Sequence, residues 1–128
     1  MTFLVDTHAL LWWLYGKPRL SERAHALIAS RDHRILVSAA TAWEISTKHR
    51  LGRLPGVEPL LADFEHWLRQ AGFGELPIEV ADAVLAGRLP HAHRDPFDRM
   101  LAAQSLRRGL AIVTCDGMLA ALGASVVW

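Results

Sequence analysis

Thr2-Phe3-Leu4-Val5-Asp6-Thr7-His8-Ala9-Leu10-Leu11-Trp12, residues 2–12, decides the fold. A short apolar run ends at an acid, and a stretch dense in Leu and Trp follows at once. The pattern reads as a buried strand over Thr2–Val5, a turn at Asp6 and a helix over Thr7–Tyr15, closed by Gly16 and Pro18. The same grammar recurs along the chain. Arg34–Ser38 is a second strand, followed by a helix over Ala39–Leu51 with Gly52 as its stop. Leu110–Thr114 is a fourth strand, and Asp116 opens a short helix ending near Gly123. Between these lie a helix capped by Ser21 and running to about Ser30, and one amphipathic helix over Leu60–Ala71 stopped by Gly72. Phe73–Ile78 holds a third strand, placed near an edge by Pro77. Glu79–Arg88 is helical, and Pro96 starts a helix that runs to about Arg108, with Gly109 behind it. Ala124–Trp128 is a last strand. Strands alternate with helices, so the expected class is α/β: a three-layer α/β/α arrangement with a central parallel sheet of four to five strands, residues 1–128 forming a single domain.

The apolar fraction, 52%, is enough for a real core at this length. A formal net charge of +1 argues against a global pull toward nucleic acid or membrane. Of the 14 basic residues only Lys17 and Lys48 are lysine, an arginine bias that suits phosphate but also follows from genomic composition. Cys115 is the lone cysteine, so no intrachain disulfide forms, in keeping with a reducing compartment. The N-terminus has no basic n-region and Asp6 interrupts its apolar stretch, so no signal peptide is expected. The run Ala9–Tyr15 is too short to span a bilayer. The expected location is cytoplasmic, with no membrane association.

Asp6, Glu44, Asp98 and Asp116 all stand on the strand-to-helix side of such a domain. Singly, each has a local explanation. Asp6 and Asp116 suit helix N-caps, and an acid two residues after Pro96 is favoured by the helix dipole. Glu44, beside Trp43 and Ile45, is the least easily explained; a carboxylate there is half-buried and needs a partner. Together the four point to one crevice, because the carboxyl ends of neighbouring parallel strands line the ligand site of an open sheet. Carboxylates gathered there repel one another, and a hard divalent cation relieves them. Such an ion activates water and stabilises charge on a phosphodiester.

The chain resembles the PIN domain ribonucleases, in particular the VapC-type toxins of bacterial toxin–antitoxin modules. The resemblance rests on residues 3–12, on Val37-Ser38-Ala39-Ala40-Thr41-Ala42-Trp43-Glu44-Ile45, on Asp95-Pro96-Phe97-Asp98-Arg99-Met100-Leu101-Ala102-Ala103-Gln104 and on Ile112-Val113-Thr114-Cys115-Asp116. It implies a PIN-like fold and a metal-dependent endoribonuclease. In it Asp6 and Asp98 hold the principal ion, Glu44 and Asp116 complete the site, and Thr114 orients a carboxylate or water. It implies Mg²⁺, with Mn²⁺ as a substitute, an RNA substrate, a cognate antitoxin and a homodimer. Asp95 is ambiguous between ligand and helix cap. Arg94 and Arg99 flank the acids and either meet RNA phosphate or are solvated or ion-paired. A non-catalytic partner-binding module of the same fold, and a nuclease acting on DNA, are the competing functions.

Other residues carry weaker signals. His91-Ala92-His93-Arg94-Asp95 resembles part of a zinc motif, but Pro96 stands where a further His is required, so a solvated loop is expected. His8 is either a site hydrogen-bond partner or a core residue. Cys115 is expected to be buried. Of Trp12 and Trp13, one is expected in the core and the other partly exposed; with the first two helices they are the expected wall of an antitoxin groove.

Overall fold

The computed structural model describes every residue, Met1–Trp128. Its strands are β1 (Thr2–Val5), β2 (Arg34–Ser38), β3 (Gly74–Leu76), β4 (Ala111–Val113) and β5 (Val126–Val127). The helices are α1 (Thr7–Leu14), α2 (Glu22–Ala29), α3 (Ala39–Arg50), α4 (Glu58–Ala62), α5 (Phe64–Ala71), α6 (Val80–Arg88), α7 (Pro96–Arg108) and α8 (Gly117–Ala121). The strands form one sheet in the order β3-β2-β1-β4-β5, every pair parallel. This is the expected α/β class with five strands, and β3 lies at an edge as Pro77 requires.

The sheet is buried on both faces, as parallel sheets are. Phe3, Val5, Ile35, Val37 and Val113 point to one side, where α1, α2 and α5 pack through Leu10, Ala24 and Leu68. Leu4, Leu36 and Ile112 point to the other, against Leu101 of α7 and Leu119 of α8. The period of two thus sorts side chains into two apolar layers. A third small cluster of Ala40, Ala86, Met100 and Ala103 joins α3, α6 and α7. β3 approaches β2 closely: a Cβ on Gly74 would lie 2.8 Å from Leu36 Cδ2.

The expected single helix over Leu60–Ala71 is corrected to two. Asp63 leaves helical geometry (φ −154°, ψ 71°) and its Oδ1 accepts from the His66 amide at 3.2 Å, capping α5. Asp competes with the helix ladder in this way, and the apolar period is blind to it. No helix is long and apolar enough to cross a membrane.

Candidate metal centre

The strand order sends β2 and β3 to one side of β1 and β4 and β5 to the other. Connections diverge at the carboxyl ends of β1 and β4, opening the crevice where α/β sheets bind ligands. Val5 pairs with Val113, so the residues that follow, Asp6 and Thr114, meet at that crevice. Thr114 Oγ1 donates to Asp6 Oδ2 at 2.6 Å, and the Ala9 amide donates to Asp6 Oδ1 at 2.8 Å. Asp6 therefore caps α1 and faces the crevice at once; one role does not displace the other. Asp116 caps α8, accepting from the Met118 amide at 2.9 Å. Its own amide donates to Thr114 Oγ1 at 2.9 Å, so the buried threonine links the two acids.

Glu44 is only 4% exposed, deeper than expected, and both its oxygens are engaged. Thr7 Oγ1 donates to Oε1 at 2.6 Å, and Lys48 Nζ is ion-paired with Oε2. Asp98 enters from α7, whose position is set by the fully buried Gln104. Ser38 Oγ donates to Gln104 Oε1 at 2.6 Å, and Gln104 Nε2 donates to the Pro77 carbonyl at 3.3 Å. The helix is thereby tied to the end of β2 and to the segment after β3. Asp98 Oδ2 accepts from His93 Nε2 at 2.8 Å. Asp95 caps α7, its Oδ1 accepting from the amides of Phe97 at 2.8 Å and Asp98 at 3.3 Å.

Burial pushes the Asp6 carboxyl up from its ordinary value; the bonds from Thr114 and Ala9 and the nearby His8 oppose this, and Asp116 adds to it. Burial also raises Asp98, against the bond from His93, and Asp95, Asp116 and Glu44 raise it further. The four acids and Asp95 thus act within one electrostatic field. They do not all touch. The tightest group of possible ligand atoms is His93, Asp95 and Asp98, all within 4.8 Å of one another; Asp6, Glu44 and Asp116 lie outside that group. The donor set is mainly carboxylate and hydroxyl oxygen, which fits a hard divalent cation, and Asp98 Oδ1 takes no protein hydrogen bond.

Arg99 is not available to phosphate. Its guanidinium makes five hydrogen bonds to backbone carbonyls. Each such charged bond contributes roughly 1.5 kcal/mol or more, whereas an exposed ion pair contributes about 1 kcal/mol or less. The internal bonds win. Arg94 is exposed and makes no ion pair, so of the two arginines it alone is free at this rim.

Other expectations change in the folded chain. Cys115 is exposed and not buried, because its strand has ended at Val113. His8 is exposed and belongs to neither the core nor the hydrogen-bonded site; its ring packs on Trp12 at 5.7 Å. The tryptophan pair divides as expected in direction: Trp13 packs against the core beside Phe73, at 6.3 Å between ring centroids, and Trp12 lies against Trp128, although both stay half-buried. The His-rich segment is solvated at His91 but not at His93. Four residues with roles here escape sequence reasoning: Thr7, Lys48, His93 and Gln104. The Glu44–Lys48 spacing of i, i+4 was the available sign for Lys48, and the His91-Ala92-His93 run marked His93 without showing its partner; no local pattern marks Thr7 or Gln104.

Residues 3–124 match the family model for the PIN domain. Ribonuclease VapC22 of Mycobacterium tuberculosis is 30% identical over 119 residues, covering 90% of this chain and 87% of that protein. Ribonuclease VapC16 of the same organism is 37% identical over 68 residues, 50% of this chain; the matched segment spans about half, 48%, of VapC16. Among solved structures, VapBC2 from Rickettsia felis, crystallised with a promoter DNA fragment, is similar with a TM-score of 0.70 at 11% identity, covering 100% of this chain and 99% of that one. At that identity the likeness concerns the fold alone.

Proposed function

Because this chain belongs to the PIN domain family, we propose that it is a metal-dependent endoribonuclease, the toxin of a toxin–antitoxin pair acting in the cytoplasm. One observation carries the proposal. Asp6 and Asp116, joined through Thr114, share the crevice with Glu44 and with Asp98, whose Oδ1 takes no protein hydrogen bond, and burial and mutual repulsion raise the Asp6 and Asp98 carboxyls from their ordinary values. Such a site is built to receive positive charge.

Asp6, Glu44, Asp98 and Asp116 would hold Mg²⁺, with Mn²⁺ as a substitute, and Asp95 would stand beside them as the cap of α7. When bound, a divalent ion lowers the pKa of water and neutralises charge developing on a phosphodiester. The protein's part is positioning. Thr114 and the Ala9 amide fix the Asp6 carboxylate, and Thr7 with Lys48 fixes Glu44. Arg94, exposed at the rim, would meet an RNA phosphate. No protein nucleophile is needed, and hydrolysis breaks the P–O3′ bond to leave a 5′-phosphate and a 3′-hydroxyl.

VapC22 is named a ribonuclease, and VapBC2 is a pair of proteins; these names support RNA as substrate and an antitoxin as partner. Two grooves flank α1. One is apolar, lined by Leu14, Tyr15, Pro59, Leu60 and Trp67; the other is mixed, with Trp12, Trp13 and Leu20 beside Lys17 and His25. They suit the apolar face of an amphipathic antitoxin segment, with the toxin as a homodimer.

The test uses chain purified free of partner. Matched RNA and DNA oligonucleotides are incubated with Mg²⁺, Mn²⁺ or EDTA. RNA cleavage that needs the ion and is lost in Asp98→Asn supports the proposal. Intact RNA under every condition, with tight partner capture retained, would instead make the chain a binding module. Preferential cutting of DNA would replace the substrate.

A further inference from the structure

We propose that His93 and Arg99 are positioning residues for Asp98, an inference resting on the metal-dependent reading above. Arg99 directly follows Asp98. Its Nε donates to the Ala86 carbonyl at 2.8 Å and its Nη2 to Leu89 at 2.7 Å and Gly87 at 3.3 Å. These bonds close the C-terminal end of α6, where unpaired carbonyls accumulate. A capping arginine would stop there. Arg99 goes further: Nη1 donates to the carbonyls of His91 at 2.8 Å and His93 at 2.9 Å.

The loop it gathers has little else to shape it. Among residues 90–94 the backbone makes one hydrogen bond to backbone, from the His91 amide to the Leu89 carbonyl at 2.9 Å. The His93 amide adds a bond to His91 Nδ1 at 3.0 Å. The loop ends by delivering the His93 ring to Asp98, whose Oδ2 accepts from Nε2 at 2.8 Å. A closed circuit results: Asp98, Arg99, the loop carbonyls, His93 and back to Asp98. It holds Oδ2 and leaves Oδ1 without a protein partner. A carboxylate pinned on one oxygen presents the other in a fixed direction, the service that partners behind a ligand perform at metal sites.

The experiment compares His93→Ala, His93→Gln, Arg99→Lys and the His93→Ala/Arg99→Lys double variant with the unsubstituted chain. Three quantities are read: Mn²⁺ affinity by calorimetry, kcat and KM on an RNA oligonucleotide, and amide hydrogen exchange across residues 89–94 without metal. His93→Ala is expected to lower Mn²⁺ affinity and kcat about tenfold or more, with KM within about twofold and the unfolding midpoint unchanged. His93→Gln, whose amide nitrogen can replace Nε2, recovers most of the loss. Arg99→Lys keeps the charge but not the fork, so exchange across the loop accelerates and Mn²⁺ affinity falls to the level of His93→Ala. The double variant falls no lower, because both act through one carboxylate. Unchanged Mn²⁺ affinity and kcat in His93→Ala overturns the inference, as do full additivity of the two substitutions or a loss that His93→Gln leaves unrepaired. If the unsubstituted chain neither binds Mn²⁺ nor cuts RNA, the nuclease proposal falls first and takes this inference with it.

Discussion

At the scale of single residues, the acids of the crevice serve two masters. Asp6, Asp95 and Asp116 each cap a helix while lying within or beside the charged cluster. Replacement by Asn separates the roles, since Asn caps as well as Asp but brings no charge. Asp6→Asn and Asp98→Asn are expected to lower kcat/KM at least about 100-fold, since even partners behind a ligand cost up to that much. The same variants should unfold at equal or higher urea concentration than the parent without metal, because a repelling buried carboxylate is gone. Retained cleavage in both would defeat the site assignment. The proposed role of these acids was legible in the sequence from their place on the strand-to-helix side of the domain: Asp6 directly follows β1, Asp116 follows β4, and Glu44 and Asp98 lie within α3 and α7. Their partners were not: Thr7 meets Glu44 across 37 positions and Thr114 meets Asp6 across 108, distances only the folded chain closes.

Between elements, the firmest polar joint lies away from the crevice. Asp82 of α6 is fully buried and bonds Arg107 and Arg108 of α7, with Arg108 Nη2 also 2.9 Å from Glu79 Oε1. Burial alone would raise Asp82; the Glu79 amide and the two arginines outweigh it and hold the carboxyl below its ordinary value. Asp82→Ala should cost about 3 kcal/mol in urea unfolding, the low end for breaking a buried pair, since both arginines keep some solvent. Metal affinity should change far less. The end of α7 makes a second prediction. Gly109 closes the helix in the left-handed region at φ 64°. Gly109→Ala should destabilise by about 1 kcal/mol, because a Cβ strains that conformation. An unchanged unfolding midpoint would show that the turn relaxes into another cap. Of the elements, the long ones were readable from periodicity and stop signals. The break at Asp63 was not, because one cap inside an apolar repeat leaves the period intact.

For the whole molecule, pH and metal act on the same balance. Asp6 and Asp98 have folded pKa values above the ordinary 3.8. The folded state binds their protons more tightly than the unfolded one, so their contribution to stability is full below 3.8 and is lost as pH rises through the raised values. Asp82 runs the other way: its contribution is present above 3.8 and is lost as pH falls through its lowered value. Metal-free chain should therefore lose stability from the crevice as pH climbs out of the acid range, and Asp98→Asn should flatten that limb. Added Mn²⁺ should raise the unfolding free energy by about 2.7 kcal/mol at 100 times its dissociation constant. A metal-induced shift that persists undiminished in Asp98→Asn would place the ion elsewhere.

The one-dimensional pattern was enough for the α/β class, for strands facing apolar layers on both sides, and for acids on the strand-to-helix side of the domain. Those features follow from local rules of period, capping and chain reversal, which act over a few neighbouring residues. Which groups hold the acids was settled only by three-dimensional packing. Lys48 neutralises Glu44, Gln104 fixes α7 against β2, and Arg99 turns inward to backbone carbonyls instead of outward to phosphate. Hydrogen bonds and buried charge depend on distance through space, and strand order brings together residues that the chain keeps far apart.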